Sequence, residues 1–160
     1  MTGFFTSICA AAIIYAVSIL YAAIGEIFSQ RAGIMNLGVE GIMLMGAVSG
    51  FMTVYYTNNL ALAVLMVIFV GILLGLAFAF VTVTLQADQT VCGMAFLIFC
   101  SGLSGFLGKS VTGIASEVKF EKIYIPLLSK IPVVGEIFFQ HDLLVYMMYL
   151  IVPASIFYIY

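Results

Sequence analysis

A chain of 160 residues, 65% of them hydrophobic and only 8% charged, with a mean hydropathy of +1.28, lies far from soluble domains, whose apolar share is nearer half. A net charge of −2 with five Lys plus Arg in total excludes the basic surface that nucleic acid requires. His141 is the sole histidine, and Cys9, Cys92 and Cys100 show no CxxC or Cys/His spacing. A zinc site, a redox motif or a His-based triad therefore has almost nothing to be built from.

The composition is that of an integral membrane protein, and each span needs about 20 apolar residues at roughly 1.5 Å of rise. The first run covers Phe4–Ile24. No basic residue precedes Arg31 and no small-residue cleavage site follows, so it reads as a retained span and not as a signal peptide. The next stretch is Gly25-Glu-Ile-Phe-Ser-Gln-Arg-Ala-Gly-Ile-Met-Asn-Leu-Gly-Val-Glu-Gly41. It puts Glu26, Arg31 and Glu40 between two apolar runs, where ionisable groups are kept because they pair, line a cavity or carry function. Gly25, Gly33, Gly38 and Gly41 accompany them, residues that break helices and let backbones approach closely, and they predict a broken, polar re-entry between spans. Asn36 suits a helix start, where its side chain caps free N–H groups, and the carboxylate of Glu40 in the first turn complements the helix dipole. Two readings stand side by side. Either Glu26 and Glu40 neutralise Arg31 at the membrane boundary, or the cluster lines or gates a solute path.

The second span runs from near Asn36 to Tyr55 and the third over Leu60–Leu85, joined by the tight turn Thr57-Asn58-Asn59. Gln86-Ala-Asp-Gln-Thr90 leads to a short fourth span, Val91–Leu107. Such brief connections make consecutive spans antiparallel neighbours. Asp88, Gln89 and Thr90 repeat the polar helix start, read either as N-capping or as part of a vestibule shared with Glu26–Glu40 on the same membrane side. Gly46 with Gly50, Gly71 with Gly75, and the small residues from Ser101 to Gly108 are expected to face other helices, because association in lipid depends on close packing. Phe96, Phe99 and Phe106 are read first as packing residues and second as a stacking surface for a flat ligand. The cysteines are read as small packing residues.

Between Gly108 and Asp142 lies the one sizeable extramembrane stretch. Glu117-Val-Lys-Phe-Glu-Lys122 alternates like an extended edge, and Leu127-Leu-Ser-Lys-Ile131, framed by Pro126 and Pro132, reads as a short interfacial helix or turn. Leu143–Tyr160 forms a fifth span. Tyr55, Tyr56, Tyr124, Tyr146, Tyr158 and Tyr160 are placed as interfacial belt residues. Lys109, Lys119, Lys122 and Lys130 would hold the Gly108–Asp142 loop in the cytoplasm, yet Glu117, Glu121, Glu136 and Asp142 cancel them, so charge alone leaves the orientation open.

Gln30-Arg-Ala-Gly-Ile-Met-Asn-Leu-Gly-Val-Glu-Gly-Ile-Met-Leu-Met-Gly-Ala47, preceded by Glu26, and Ala87-Asp-Gln-Thr-Val-Cys-Gly-Met-Ala95 together resemble permease subunits of ABC importers. The branch is the one handling nucleosides, simple sugars and branched-chain amino acids. The closest likeness is to nucleoside and simple-sugar permeases that work with a basic-membrane-protein-type lipoprotein, whose outer loop Ile125–Pro132 also resembles. The likeness covers essentially all of this chain but about the first half of a family member, ending before the segment that docks on the ATPase. Leu97 departs from it, since the family commonly has a polar Asn there.

The resemblance implies an all-α polytopic bundle of about five spans, residues 1–160 forming the N-terminal portion of a single transmembrane permease domain in a bacterial plasma membrane. It implies an extracytoplasmic Gly108–Asp142 loop, against the bare lysine count. It also implies a translocation path with Glu26, Arg31, Asn36, Glu40, Asp88 and Gln89 as lining or gate candidates, and no catalytic residue, cofactor or metal. Expected partners are a cytoplasmic ATPase, a second permease subunit (identical or paralogous), a substrate-binding lipoprotein and the lipid bilayer. No Walker-type phosphate loop occurs, so ATP hydrolysis falls to the partner. Two alternatives are carried: an ion-coupled secondary transporter half, with Glu40 or Asp88 as coupling carboxylate, and a small membrane scaffold without a transport role.

Overall fold

The computed structural model describes residues 2–114, 118, 123–124 and 140–159. Helices dominate, as backbone polar groups in hydrocarbon must be satisfied within their own segment. In chain order they are α1 (Thr2–Arg31), α2 (Val39–Thr57), α3 (Leu60–Ala79), which continues into a π-helical turn (Phe80–Thr84), α4 (Gln89–Gly108) and α5 (Leu143–Ile159). Four of these are long and apolar enough to cross a membrane, and α5 is a shorter apolar helix. Ile123–Tyr124 (β1) pairs antiparallel with Gln140–His141 (β2), with Ile123 opposite His141. Apart from Val118, the alternating stretch 117–122 and the 127–131 segment lie outside the described residues.

Two compact units divide the chain: Met1–Gly25 with Phe120–Tyr160, and Glu26–Lys119. In the first, Val17, Val145 and Met148 are buried and Ile13, Tyr21, Tyr149 and Val152 pack around them. The Tyr21 hydroxyl donates to the Leu144 carbonyl at 3.0 Å, in keeping with the need of a phenol inside an apolar layer for a partner. Pro153 lies inside α5 and removes one N–H from its ladder.

In the second unit α2 contacts both α3 and α4. The turn between α2 and α3 follows from its asparagines. Asn58 adopts the left-handed conformation (φ 51°) and its N–H closes on the Val54 carbonyl, while the Asn59 side chain accepts from Ala61 and Leu62 N–H at 2.9 and 3.3 Å. One Asn ends a helix and the next begins one. Within α2 the hydroxyls of Ser49, Thr53 and Thr57 donate to carbonyls three or four residues back, which satisfies them where water is absent.

Of the small residues expected to face other helices, Gly46, Gly50 and Gly108 do so among the described residues, Gly108 lying against Val48. A Cβ on Gly50 would meet Val67 Cγ2 at 2.8 Å and one on Gly46 would meet Val67 Cγ1 at 3.5 Å, so that pair seats α3 on α2. Gly71, Gly75, Gly102 and Gly105 have no such neighbour within 4 Å among the described residues. Phe96 packs edge-on against Phe78 with ring centroids 5.4 Å apart, whereas Phe99 and Phe106 are exposed. The three Phe residues therefore form no common stacking surface. Tyr55 and Tyr56 make an edge contact at the end of α2, where a belt is expected.

Candidate functional site: the joined polar helix starts

The predicted break at Gly25 does not occur. Helix α1 runs through it to Arg31, because one glycine at roughly 1 kcal/mol against Ala does not outweigh an otherwise apolar helical run. At 30 residues α1 is about 45 Å long, more than the roughly 30 Å of hydrocarbon a span must cross, and Glu26–Arg31 lies on its last turns. The chain reverses instead at Gly33 (φ 82°). Gly33 N–H bonds the Gln30 carbonyl at 2.9 Å and Ile34 N–H bonds the Ser29 carbonyl at 3.1 Å, the Schellman closure that a glycine beyond a helix end permits.

Three side chains then fix the loop. One carboxylate oxygen of Glu26 accepts from the Gln30 amide and from the Asn36 backbone N–H, both at 3.1 Å. The Asn36 side chain accepts from Gly38 N–H at 3.0 Å, an Asx turn that delivers the chain to α2. It does not cap α2 directly, since the residue preceding that helix is Gly38 and no side-chain bond closes there. Gln89, on the first turn of α4, reaches back across the sequence. Its oxygen accepts from Met35 N–H at 2.8 Å and its amide donates to the Gly33 carbonyl at 3.2 Å. Asp88 behaves as an N-cap, accepting from Val91 N–H at 2.9 Å. The two polar helix starts, expected on one membrane side, are thus joined by hydrogen bonds. Gln30, Gly33, Ile34, Met35 and Gln89 line an open cleft of about 270 Å³ between them.

The described bonds of Glu26 run to Gln30 and Asn36 rather than to Arg31. Glu40 is exposed in the first turn of α2. Glu26 is thus a hydrogen-bond acceptor for the loop, and Glu40 stands where a carboxylate complements the helix dipole.

Beneath the polar layer the two helices meet through Gly38 and Gly41, where close backbone approach is expected, and through Gly93, whose role the sequence did not show. A Cβ on Gly38 would lie 2.9 Å from Phe96 Cβ and 3.0 Å from the Gly93 carbonyl oxygen. On Gly41 it would lie 2.9 Å from Cys100 Cβ and 3.0 Å from Leu97 Cα, and on Gly93 2.8 Å from Leu37 Cβ and 3.0 Å from Leu37 N. Approach this close to a neighbouring backbone is possible only where the Cβ is missing. The signal was present in the three-residue spacing of Gly38 and Gly41, one helical turn apart, opposite Gly93 in the second motif. Cys100, fully buried, fills the space facing Gly41, and Leu97 borders the same seam. Gly108-Lys-Ser110 falls at the C-terminal end of α4, the wrong helix end for cradling phosphate.

The glycine seam and the polar layer are built from the two segments that carry the family resemblance. The sequence profile described as branched-chain amino acid transport system / permease component matches residues 8–160. The chain belongs to that family. It is a multi-pass membrane protein of the permease type. Over 151 residues it is 34% identical to a Haloferax volcanii protein provisionally named a glucose ABC transporter permease, covering 89% of this chain and 44% of the relative. It is 34% identical over 140 residues to the guanosine ABC transporter permease of Bacillus subtilis, covering 81% of this chain and 44% of the relative. With the nucleoside ABC transporter permease of Lactococcus lactis subsp. cremoris it shares 33% over 138 residues, 79% of this chain and 43% of the relative. The chain spans less than half the length of these curated relatives. No solved structure matches it.

Proposed function

We propose that residues 1–160 are the N-terminal portion of a single permease domain in an ATP-driven importer, passing a nucleoside or simple sugar across the cell membrane. The observation that carries this is the agreement of the relatives' names: glucose, guanosine and nucleosides all present a sugar ring. ATP hydrolysis belongs to a cytoplasmic partner subunit, a second permease subunit completes the path, and a binding lipoprotein delivers the solute. The joined helix starts, with Glu26, Asn36, Asp88 and Gln89 inside the layer and Arg31 and Glu40 exposed at its edge, frame the inner mouth of that path. The Gly108–Asp142 loop faces outward. Closure of the ATPases would move the joined starts as one body, since hydrogen bonds and the glycine seam tie α2 to α4.

The ion-coupled alternative loses support from the placement of its coupling carboxylates. Asp88 is engaged as a cap and Glu40 is exposed. A reconstituted complex of permease, ATPase and lipoprotein tests the proposal. ATP hydrolysis should rise several-fold when the lipoprotein carries a nucleoside or sugar, and a response to branched-chain amino acids alone would replace the solute class.

A further inference from the structure

Helices α1 and α3 end in related ways, and the difference between them is informative. At the end of α1 the closing bond spans five residues, Ile34 N–H to the Ser29 carbonyl, around left-handed Gly33. At the end of α3 the bond spans six, Ala87 N–H to the Val81 carbonyl at 3.3 Å, around left-handed Gln86 (φ 53°). The extra residue is held in the π turn, where Leu85 N–H closes on the Phe80 carbonyl at 3.1 Å. A π closure takes one more residue into the turn than an α closure, and such turns are rare and concentrate at functional sites. Here a non-glycine residue also sits in the left-handed region, an uncommon placement.

Both flanks of this turn are anchored. On one side Phe78 is buried against Phe96, and from within the turn the buried Thr82 donates its hydroxyl back to the Phe78 carbonyl at 2.9 Å. On the other, Asp88 caps α4 and Gln89 holds the Gly33–Met35 loop. Between the anchors, Phe80, Val83 and Leu85 are exposed.

We propose that the π turn is a register store for the Gln89 latch. When the turn tightens to α geometry it returns one residue to the connection before α4. The returned residue gives the connection slack, enough for the first turn of α4, ahead of the seam at Gly93, to unwind and carry the Gln89 amide out of reach of Met35 N–H and the Gly33 carbonyl. The cleft that Gln89 shares with Gln30, Gly33, Ile34 and Met35 then opens. The geometry needs no solute, and only its use as an inner gate rests on the permease reading.

The test is hydrogen exchange of the Met35 amide in the 160-residue chain in nanodiscs. The Asn36 amide, held by Glu26 and not by Gln89, serves as internal reference. Deleting Val83 removes the stored residue and should slow Met35 exchange by about ten-fold relative to Asn36. Inserting one Ala after Val83 adds slack and should speed it by about ten-fold. In the unaltered chain Met35 should exchange faster than Asn36. Acceleration in both variants, or no change in either, would overturn the store, since simple damage cannot slow exchange. Should the deletion variant fail to fold, the insertion variant and the unaltered chain still decide: equal Met35 and Asn36 rates in both would contradict the proposal. Transport is not read, so failure here is distinguishable from failure of the importer reading.

Discussion

At the scale of single residues, amide chemistry separates Gln89 from its nearest substitutes. It donates to one backbone group and accepts from another, which Glu cannot do at neutral pH. Gln89→Glu should keep the Met35 bond, lose the Gly33 bond and place negative charge against a carbonyl oxygen. Gln89→Ala leaves both groups to water. We expect each to cost about 1–2 kcal/mol, read as a lower midpoint of denaturant unfolding in mixed micelles, with Gln89→Asn rescuing little because it is one methylene short. The carboxylates give a sharper expectation. Because Arg31 and Glu40 are both exposed, any pairing between them is weak, and Arg31→Ala and Glu40→Gln should add within about 0.5 kcal/mol. Partial rescue of one by the other in the same unfolding assay would restore the ion pair.

At the scale of elements, the glycine seam decides how α2 and α4 cross. Gly41→Ala and Gly93→Ala each drive a methyl into backbone atoms at 3.0–3.1 Å, which cannot swing aside as a side-chain tip can. Each should destabilise the chain by about 1–3 kcal/mol, whereas Gly71→Ala and Gly75→Ala, open to their surroundings, should be tolerated. Thermal unfolding in nanodiscs, with the four variants side by side, checks the contrast. Span positions were legible in the sequence because apolar runs of bilayer length leave little choice. The Asn58–Asn59 turn and the Asp88 cap were legible because those residues act on backbone one to three positions away. The end of α1 was not, since Gly25 looks the same in a helix as at its end. Nor was the Gln89 latch, whose partners lie 54 and 56 residues earlier, or the π turn, which Phe-Val-Thr-Val-Thr does not announce. Long-range pairing and register depend on how helices pack, and local pattern carries neither.

At the scale of the whole molecule, the joined starts set which helix ends share a side, and the importer reading proposes which side faces out. Gly38 and Gly93 meet, so α2 and α4 begin on one side and end on the other, Glu40 marking the first and Lys109 the second. We expect Lys109→Cys, in a background with Cys9, Cys92 and Cys100 replaced, to react with an impermeant maleimide on intact cells. Glu40→Cys should react only after lysis, and the reverse pattern would invert the topology. The most direct measurement of the central claim is solute uptake into proteoliposomes. A permease of the relatives' full length beginning with this chain, assembled with its ATPase and lipoprotein, should accumulate labelled nucleoside or sugar only when ATP is supplied. The 160-residue chain alone should accumulate none. Uptake by that chain alone, driven by an ion gradient with no ATPase present, would contradict the importer account.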